Sequence, residues 1–192
     1  MIWQRNYDEA RQMYGVASAE AQAAAESRIA FYRRLDSAVS TYESLPAKLK
    51  ITGGVNHARF EWRARSGRDE DAKDLMLEAS KTVEGLGNPA AWGNRRRALA
   101  RDEMRNGDPA RAYIMAAQHQ LIEGSDFADL EWLAGYIALR YLNDPARALT
   151  HFQSHDGAVE SPISQGRAGY WQGRALEEAG DTEGATAAYT KG

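Results

Sequence analysis

The chain has 192 residues, of which 24 are Lys or Arg and 27 are Asp or Glu, so its formal net charge is -3. This small negative charge argues against electrostatic binding to nucleic acid or to a membrane surface. The sequence contains no cysteine, which excludes disulfides and thiolate chemistry. No apolar run approaches the roughly 20 residues that a membrane-spanning helix needs, so no membrane span is expected.

Five segments are predicted to be long helices. An alternating strand pattern of convincing length is absent, and four of the five prolines follow a good helix-capping residue: Asn88, Asp108, Asp144 and Ser161. In chain order the predicted helices cover residues 18–34, 54–65, 90–105, 126–141 and 162–179. The glycine-containing stretches 51–54 and 85–87 are the predicted loops.

A short unit recurs between these helices. It consists of a Gly or Asn that ends one helix in the left-handed conformation, an Asp that caps the next helix, and an alanine that faces a neighbouring helix. Clear copies lie at 107–112, 143–148 and 180–185, and weaker ones at 7–10, 36–38 and 67–72. The repeated alanines are Ala10, Ala38, Ala72, Ala112, Ala148 and Ala185.

The spacing of these alanines predicts a repeat protein. Most intervals lie near the roughly 34 residues of a tetratricopeptide repeat, in which each unit buries its apolar face against its neighbours. We therefore predict an all-α chain, a right-handed superhelix or solenoid of antiparallel, tetratricopeptide-like helical hairpins. Residues 1–192 would form one superhelical domain fragment of about five hairpins, cut at both ends, and the cut ends would promote self-association.

The predicted helix at 126–141 has apolar residues on two sides. A surface helix needs a single apolar stripe, so two stripes indicate a helix packed between neighbours. Gly135 would allow one of those neighbours to approach closely. The first stripe is Phe127, Leu130, Ala134, Ile137 and Tyr141, and the second is Trp132, Tyr136 and Leu139.

Several stretches resemble one known family. They are Glu-Trp-Leu-Ala-Gly at 131–135, Leu-Arg-Tyr-Leu at 139–142, Ser-Pro-Ile-Ser at 161–164, Gly-Tyr-Trp-Gln-Gly-Arg-Ala at 169–175 and Arg-Phe-Glu-Trp-Arg at 59–63. Together with the Asn-Gly-Asp at 106–108, they are similar to the helical superhelix region of soluble lytic murein transglycosylases. The resemblance covers residues 47–189.

The resemblance implies a scaffold and not an active centre. Members of the family are periplasmic and cleave the bond between N-acetylmuramic acid and N-acetylglucosamine in peptidoglycan, with formation of a 1,6-anhydro sugar. Their C-terminal lysozyme-like domain contains a catalytic Glu-Ser dipeptide, a Gly-Leu-Met-Gln stretch and an Ala-Tyr-Asn stretch, and the latter two do not occur here. The expected partners are therefore glycan strands and a catalytic domain of the same protein, and this chain alone is expected to be inactive.

Three Glu-Ser dipeptides are nevertheless candidates for the family's catalytic acid, which donates a proton from an apolar setting. Their acids are Glu26, Glu43 and Glu160. Each lies in a predicted helix or just before a helix cap and lacks the flanking motifs. We expect solvated or capping residues and assign no catalytic residue.

His151 and His155 are four residues apart, the spacing of two zinc ligands on one helix face. No acid takes the place of the Glu in a His-Glu-x-x-His motif, and no cysteine is present to complete a site. We therefore predict exposed histidines at a helix end, with no metal and no cofactor.

Arginines and tryptophans are the remaining candidates for ligand contact. The arginines are Arg95, Arg96, Arg97, Arg101 and Arg105, and the tryptophans are Trp62, Trp92, Trp132 and Trp171. The arginines would form either a patch for an anionic polymer, such as the peptide carboxylates of peptidoglycan, or solvated pairs with Asp102, Glu103 and other acids, and we favour the pairs. The tryptophans would stack on sugars if exposed on a concave face, but Trp132 and Trp171 are expected to fill space between helices.

The predicted solenoid is also compatible with a different class of function. Solenoids commonly bind a protein or a peptide on their concave face. The alternative to the cell-wall scaffold is therefore a tetratricopeptide-like adaptor with a protein or peptide partner.

Overall fold

The structure, a computed structural model, describes residues 2–191. These residues form thirteen α-helices and no strand, and 78% of the chain is helical, so the all-α prediction is confirmed. Short 3-10 helices lie at Ile2–Gln4 and Met13–Val16. The α-helices are α1 Tyr7–Gln12, α2 Ala19–Arg33, α3 Ala38–Glu43, α4 Ala47–Lys50, α5 Gly53–Arg65, α6 Asp69–Ala79, α7 Val83–Leu86, α8 Pro89–Asn106, α9 Pro109–Ala117, α10 Ser125–Arg140, α11 Pro145–Gly157, α12 Pro162–Glu178 and α13 Thr182–Lys191.

The five predicted long helices are confirmed, each to within one residue at either end, as α2, α5, α8, α10 and α12. Capping explains this agreement where a cap is present: Ser18 accepts a hydrogen bond from the Ala21 amide, and Ser161 accepts one from the Ser164 amide. Both predicted loops are wrong in part, because α5 begins at Gly53, within 51–54, and α7 extends to Leu86, within 85–87. Thr82 starts that short helix by accepting a bond from the Gly85 amide.

The three clear copies of the joint begin their helices as predicted, whereas the weaker copies give no side-chain capping bond at the start of α1, α3 or α6. In each clear copy the Asp side chain accepts a hydrogen bond from an amide of the next helix, which satisfies a donor that would otherwise have no partner. The three bonds run from the Ala110 amide to Asp108 at 2.8 Å, from the Arg147 amide to Asp144 at 3.0 Å, and from the Gly184 amide to Asp181 at 2.9 Å.

The predicted helix endings hold in two of the three clear copies. Asn143 and Gly180 have φ values of 51° and 84°, the left-handed conformation that ends a helix. Gly107 does not adopt a positive φ. Helix α8 instead continues to Asn106, and the Gly107 amide donates to the Glu103 carbonyl.

Contacts between Cα atoms group the chain into two compact units, Met1–Trp92 and Gly93–Gly192, and the boundary falls inside α8. In the first unit α2 packs on α3 and α5, and α5 packs on α6. In the second unit α9 packs on α10, and helices α10 to α13 pack each on the next. The repeated alanines are buried in both units, none more than 7% exposed, as their small side chains predict.

Helix α10 has most of its surface buried. Both predicted stripes contribute buried residues, among them Leu130, Ile137 and Leu139, although Tyr141 departs from its stripe and is 41% exposed. A Cβ on Gly135 would lie 2.7 Å from the ring of Phe152 on α11, so this glycine allows the close approach that was predicted. Across residues 2–191, no helix combines the length and apolar character that crossing a bilayer requires.

Candidate functional site

A groove of about 330 Å³ on the C-terminal unit is the candidate functional site. Two helices and the residue after the second provide its walls. Helix α8 contributes Arg101, Met104 and Arg105; α10 contributes Trp132, Leu133 and Tyr136, and Tyr141 follows α10. The groove therefore combines aromatic rings with two guanidinium groups.

The aromatic wall is built by helical spacing. Trp132 and Tyr136 lie four residues apart on α10, and their rings stack with centroids 5.3 Å apart and planes at 19°. Trp171 of α12 packs edge-on against both rings, at 5.9 Å from Trp132 and 5.2 Å from Tyr136. Tyr141 extends the aromatic group, with its ring 6.2 Å from that of Tyr136. These rings give the groove an apolar wall.

Cations lie on and beside this wall. The guanidinium carbon of Arg167, on α12, lies 3.7 Å from the centroid of the Trp132 ring, a close cation–π contact. Burial lowers the pKa of Arg167, with Asp129 acting in the opposite direction and Arg101 in the same one. A cationic groove with an aromatic wall suits a sugar that bears a carboxylate.

The predicted role of two tryptophans is confirmed and extended. Trp132 and Trp171 both pack against the buried cluster formed by residues of α10, α11 and α12, so they fill space between helices. Trp132 also lines the groove. Trp92 is fully buried, where it stacks on Phe60 at 4.6 Å and donates to the Leu86 carbonyl, so it is excluded as a sugar platform.

The arginine-rich helix departs from the prediction at one position. Arg96 was expected to be solvated, but it is 0% exposed and donates to the Met115 carbonyl at 2.9 Å. Burial lowers its pKa to about 10. The signal was present in the sequence, because Arg96 lies at helical spacing from Trp92 and Leu99, which are also buried.

The other arginines of α8 include pairs with acids, as favoured. Arg97 forms ion pairs with Asp126, at 3.3 Å, and with Asp129. Glu103 pairs with Arg111 at 3.4 Å and accepts a bond from the Asp108 amide. These pairs hold α8 against the start of α10 and α9, which sets the two walls of the groove.

None of the Glu-Ser acids has the setting of a proton donor. Glu26, in α2, accepts hydrogen bonds from Arg11 at 2.9 Å and from the Tyr14 hydroxyl at 2.8 Å. The bond from Arg11 outweighs burial and lowers the pKa of Glu26, the opposite of what an acid catalyst needs. Glu43 and Glu160 are exposed.

The two histidines of α11, His151 and His155, bond to different partners. His155 is buried, not exposed as predicted, and its Nδ1 donates to the Ala128 carbonyl at 2.8 Å. Burial lowers the pKa of His155. His151 is also largely buried and bonds instead to Glu131. No group of three His, Asp or Glu side chains within residues 2–191 is arranged to bind a metal ion.

A buried hydrogen-bonded chain around Glu131 was not predicted. Glu131 Oε1 accepts from His119 Nε2 at 2.9 Å, and Oε2 accepts from His151 Nδ1 at 2.7 Å. His151 Nε2 accepts from the Tyr113 hydroxyl at 2.8 Å. His119 Nδ1 accepts from the Leu121 amide at 2.9 Å, which fixes the proton of that imidazole on Nε2.

This chain of bonds favours the ionised form of Glu131. Burial raises the pKa of Glu131, but the hydrogen bonds from His119 and His151 outweigh it and lower the pKa to about 2. Glu131 is only 8% exposed, and its carboxylate is an acceptor that joins α10 to α11 and to the segment after α9. Its neighbour in sequence, Trp132, lines the groove.

No protein-family model, no curated protein and no solved structure matches the chain. The groove of the C-terminal unit, the Glu131 chain of hydrogen bonds and the helix packing are therefore the observations on which a function can rest.

Proposed function

We propose that the chain is the non-catalytic, superhelical part of a lytic murein transglycosylase and that it binds peptidoglycan glycan strands. The repeated helical joints with buried alanines support a tetratricopeptide-like superhelix. The proposal places the chain in the periplasm. Cleavage of the glycan would belong to a C-terminal catalytic domain of the same protein.

One observation supports the binding role above the others. The groove of the C-terminal unit presents Trp132 and Tyr136 beside Arg101 and Arg105. N-acetylmuramic acid is a sugar with a lactyl group, and the stem peptides attached to it end in carboxylates. Aromatic rings would contact the sugar face and guanidinium groups would bind the carboxylates, preferably in the bidentate geometry that Arg favours.

Co-sedimentation with purified sacculi tests the binding role. Retention of the full chain should decrease as salt increases, because exposed charge pairs are screened. Arg105→Gln and Tyr141→Ala should each lower the bound fraction, since both residues line the groove and both are exposed enough to change without loss of the core.

Two control variants make the same chemical changes outside the groove. Arg33→Gln removes an exposed charge at the end of α2, and Tyr170→Ala removes an aromatic ring that is 50% exposed. Both should be retained like the unmodified chain. Equal retention on sacculi whose carboxylates have been amidated would contradict the proposed role of the arginines.

The link to a catalytic domain has a separate test. The reading frame after the codon for Gly192 should encode a Glu-Ser dipeptide followed by Gly-Leu-Met-Gln and Ala-Tyr-Asn. The isolated chain should release no 1,6-anhydro-muropeptides from sacculi. A frame that continues only as further hairpins would remove the transglycosylase assignment.

An adaptor for a protein or peptide is the second candidate. It is favoured by a larger groove on the N-terminal unit, of about 640 Å³, which is lined by three Lys side chains and one Arg side chain and also by Glu78 and Glu84. Retention on sacculi through the groove of the C-terminal unit would disfavour the adaptor as the main role.

A further inference from the structure

The groove of the N-terminal unit lies between α4, α5, α6 and α7 and has a volume of about 640 Å³, which is within the usual range for a ligand site. Asn56 fixes two of its sides. The Asn56 side-chain amide donates to the Ile51 carbonyl at 3.0 Å and to the Gly85 carbonyl at 3.1 Å. The Asn56 side chain therefore links the turn before α5 to helix α7.

Two cations lie against one aromatic ring in this groove. The guanidinium carbon of Arg59 lies 4.0 Å from the centroid of the Tyr42 ring, and the Lys50 ammonium lies 5.3 Å from it. The Lys50 ammonium also donates to the Glu43 carbonyl at 2.8 Å, which fixes its position. Both positive charges therefore lie within 5.3 Å of the centre of the same aromatic ring.

Arg59 and Lys50 differ from the other two cations of the groove, Lys48 and Lys81, in lacking an acid. Lys48 pairs with Glu20 at 2.7 Å, and Lys81 pairs with Glu78 at 2.5 Å. Arg59 is half-buried, yet among residues 2–191 no carboxylate lies within 4.0 Å of its guanidinium. Burial lowers the pKa of Arg59, with Arg63 adding to the effect and Tyr42 opposing it. A half-buried cation without an acid is stabilised by an anionic ligand.

Apolar surface lies beside this cation. Ile51 is 72% exposed at the edge of the groove, and Leu75 and Ala79 of α6 form part of its wall. A ligand that fits must therefore offer one carboxylate and, next to it, a small or medium apolar group. The C-terminal residue of a peptide has this combination.

We propose that the groove of the N-terminal unit binds the C-terminal residue of a peptide. Arg59 and Lys50 contact the terminal carboxylate, and Ile51, Leu75 and Ala79 contact the last side chain. A single carboxylate fits better than a phosphate, since phosphate has a charge of about -1.5 to -2 and Lys48 and Lys81 are already paired. The inference does not rest on the proposed binding of glycan strands, which concerns the other unit.

Fluorescence anisotropy with a defined probe tests the proposal. The probe is a fluorescein-labelled peptide that ends in Gly-Gly-Leu with a free carboxylate, and the matched probe is the same peptide with an amidated C-terminus. The full chain should bind the free acid at least about tenfold more tightly than the amide, because the amide loses a charge-assisted pair of hydrogen bonds. The affinity for the free acid should decrease as salt increases.

Two variants and one control locate the site. Arg59→Gln should weaken binding of the free acid about tenfold or more, whereas Arg33→Gln, the same change at an exposed site on α2, should leave it within about twofold. Ile51→Asp should also weaken it by charge repulsion, and its exposure makes a folding defect unexpected. Helical content by circular dichroism checks that each variant is folded.

Several outcomes would overturn the proposal. One is a preference of less than threefold for the free acid over the amide. Another is an equal effect of Arg59→Gln and Arg33→Gln on binding of the free acid, and a third is unchanged binding in Ile51→Asp. Displacement of the probe by inorganic phosphate at a lower concentration than by the unlabelled peptide would identify an oxyanion site in place of a peptide site.

Discussion

Removing the Glu131 carboxylate should destabilise the C-terminal unit strongly, and by an amount that depends on the replacement. Glu131→Leu leaves the Nε2–H of His119 without an acceptor, and it leaves Nδ1 of His151 without a partner in either tautomer. Each unsatisfied buried polar group costs about 1–3 kcal/mol, and the added apolar burial of leucine offsets part of that cost. We expect a loss of about 2–5 kcal/mol in the free energy of unfolding.

Glu131→Gln should cost less, about 1–2 kcal/mol. The side-chain oxygen of glutamine can still accept from His119, whose tautomer is fixed by the Leu121 amide. The amide nitrogen of glutamine then faces His151, which can move its proton to Nε2 and donate to the Tyr113 hydroxyl. The charge of the hydrogen bonds is lost, but His119 and His151 both keep partners, and the half-buried Tyr113 hydroxyl now accepts and turns its own proton away from His151.

Urea unfolding at neutral pH, followed by far-UV circular dichroism, measures both losses. The reasoning would be refuted if Glu131→Leu cost less than about 1 kcal/mol, or if glutamine cost as much as leucine. The first result would mean that the donors find other acceptors, and the second that His151 cannot change its tautomer. The leucine variant must remain folded for the comparison, which a domain of ordinary stability, about 5–15 kcal/mol, allows.

Three further predictions follow from the same structure. Lowering the pH from about 4.5 to about 2 should destabilise the chain, because the pKa of Glu131 is lower in the folded state than in the unfolded state. The stabilisation is present above the unfolded-state pKa and is lost as the pH falls through about 2. Acid titrations should therefore show a smaller loss of stability in Glu131→Gln than in the unmodified chain. Gly135→Ala should lower the stability by about 1–3 kcal/mol, since its Cβ would lie 2.7 Å from the Phe152 ring, whereas Gly157→Ala, with nothing within 4 Å, should change thermal unfolding little. Asp144→Ala should cost about 1 kcal/mol in urea unfolding through loss of its cap on α11, and an unchanged midpoint would contradict that role.

Local signals in the sequence were sufficient for the helices and their joints. Asp108, Asp144 and Asp181 act as caps because capping involves an amide only two or three residues away. The repeated alanines and Gly135 were also predictable, since a small residue at a fixed place in a repeat indicates close packing. These features depend on neighbours in the sequence or on the repeat itself.

The buried polar groups were not predictable in the same way. Glu131 joins His119 and His151, which are 12 and 20 residues away, and His151 in turn bonds Tyr113, 38 residues away. The sequence spacing of these residues does not indicate that their side chains contact one another, because the distances between the side chains depend on how α9, α10 and α11 pack. Arg96 differs from these groups because the sequence does contain a signal for its burial. Helical periodicity places Arg96 on the buried face of α8, but the run of arginines around it suggests exposure.

The two features of α10 that sequence patterns explain least well are adjacent in the chain. Glu131 anchors the helix through buried histidines, and Trp132, the next residue, lines the groove of the C-terminal unit. Since consecutive helical residues point about 100° apart, one helix can bury an ionised carboxylate on one side and present an aromatic ring on another. The hydrogen bonds of Glu131 therefore restrict rotation of α10 about its axis, and that restriction orients the Trp132 and Tyr136 rings beside Arg101 and Arg105.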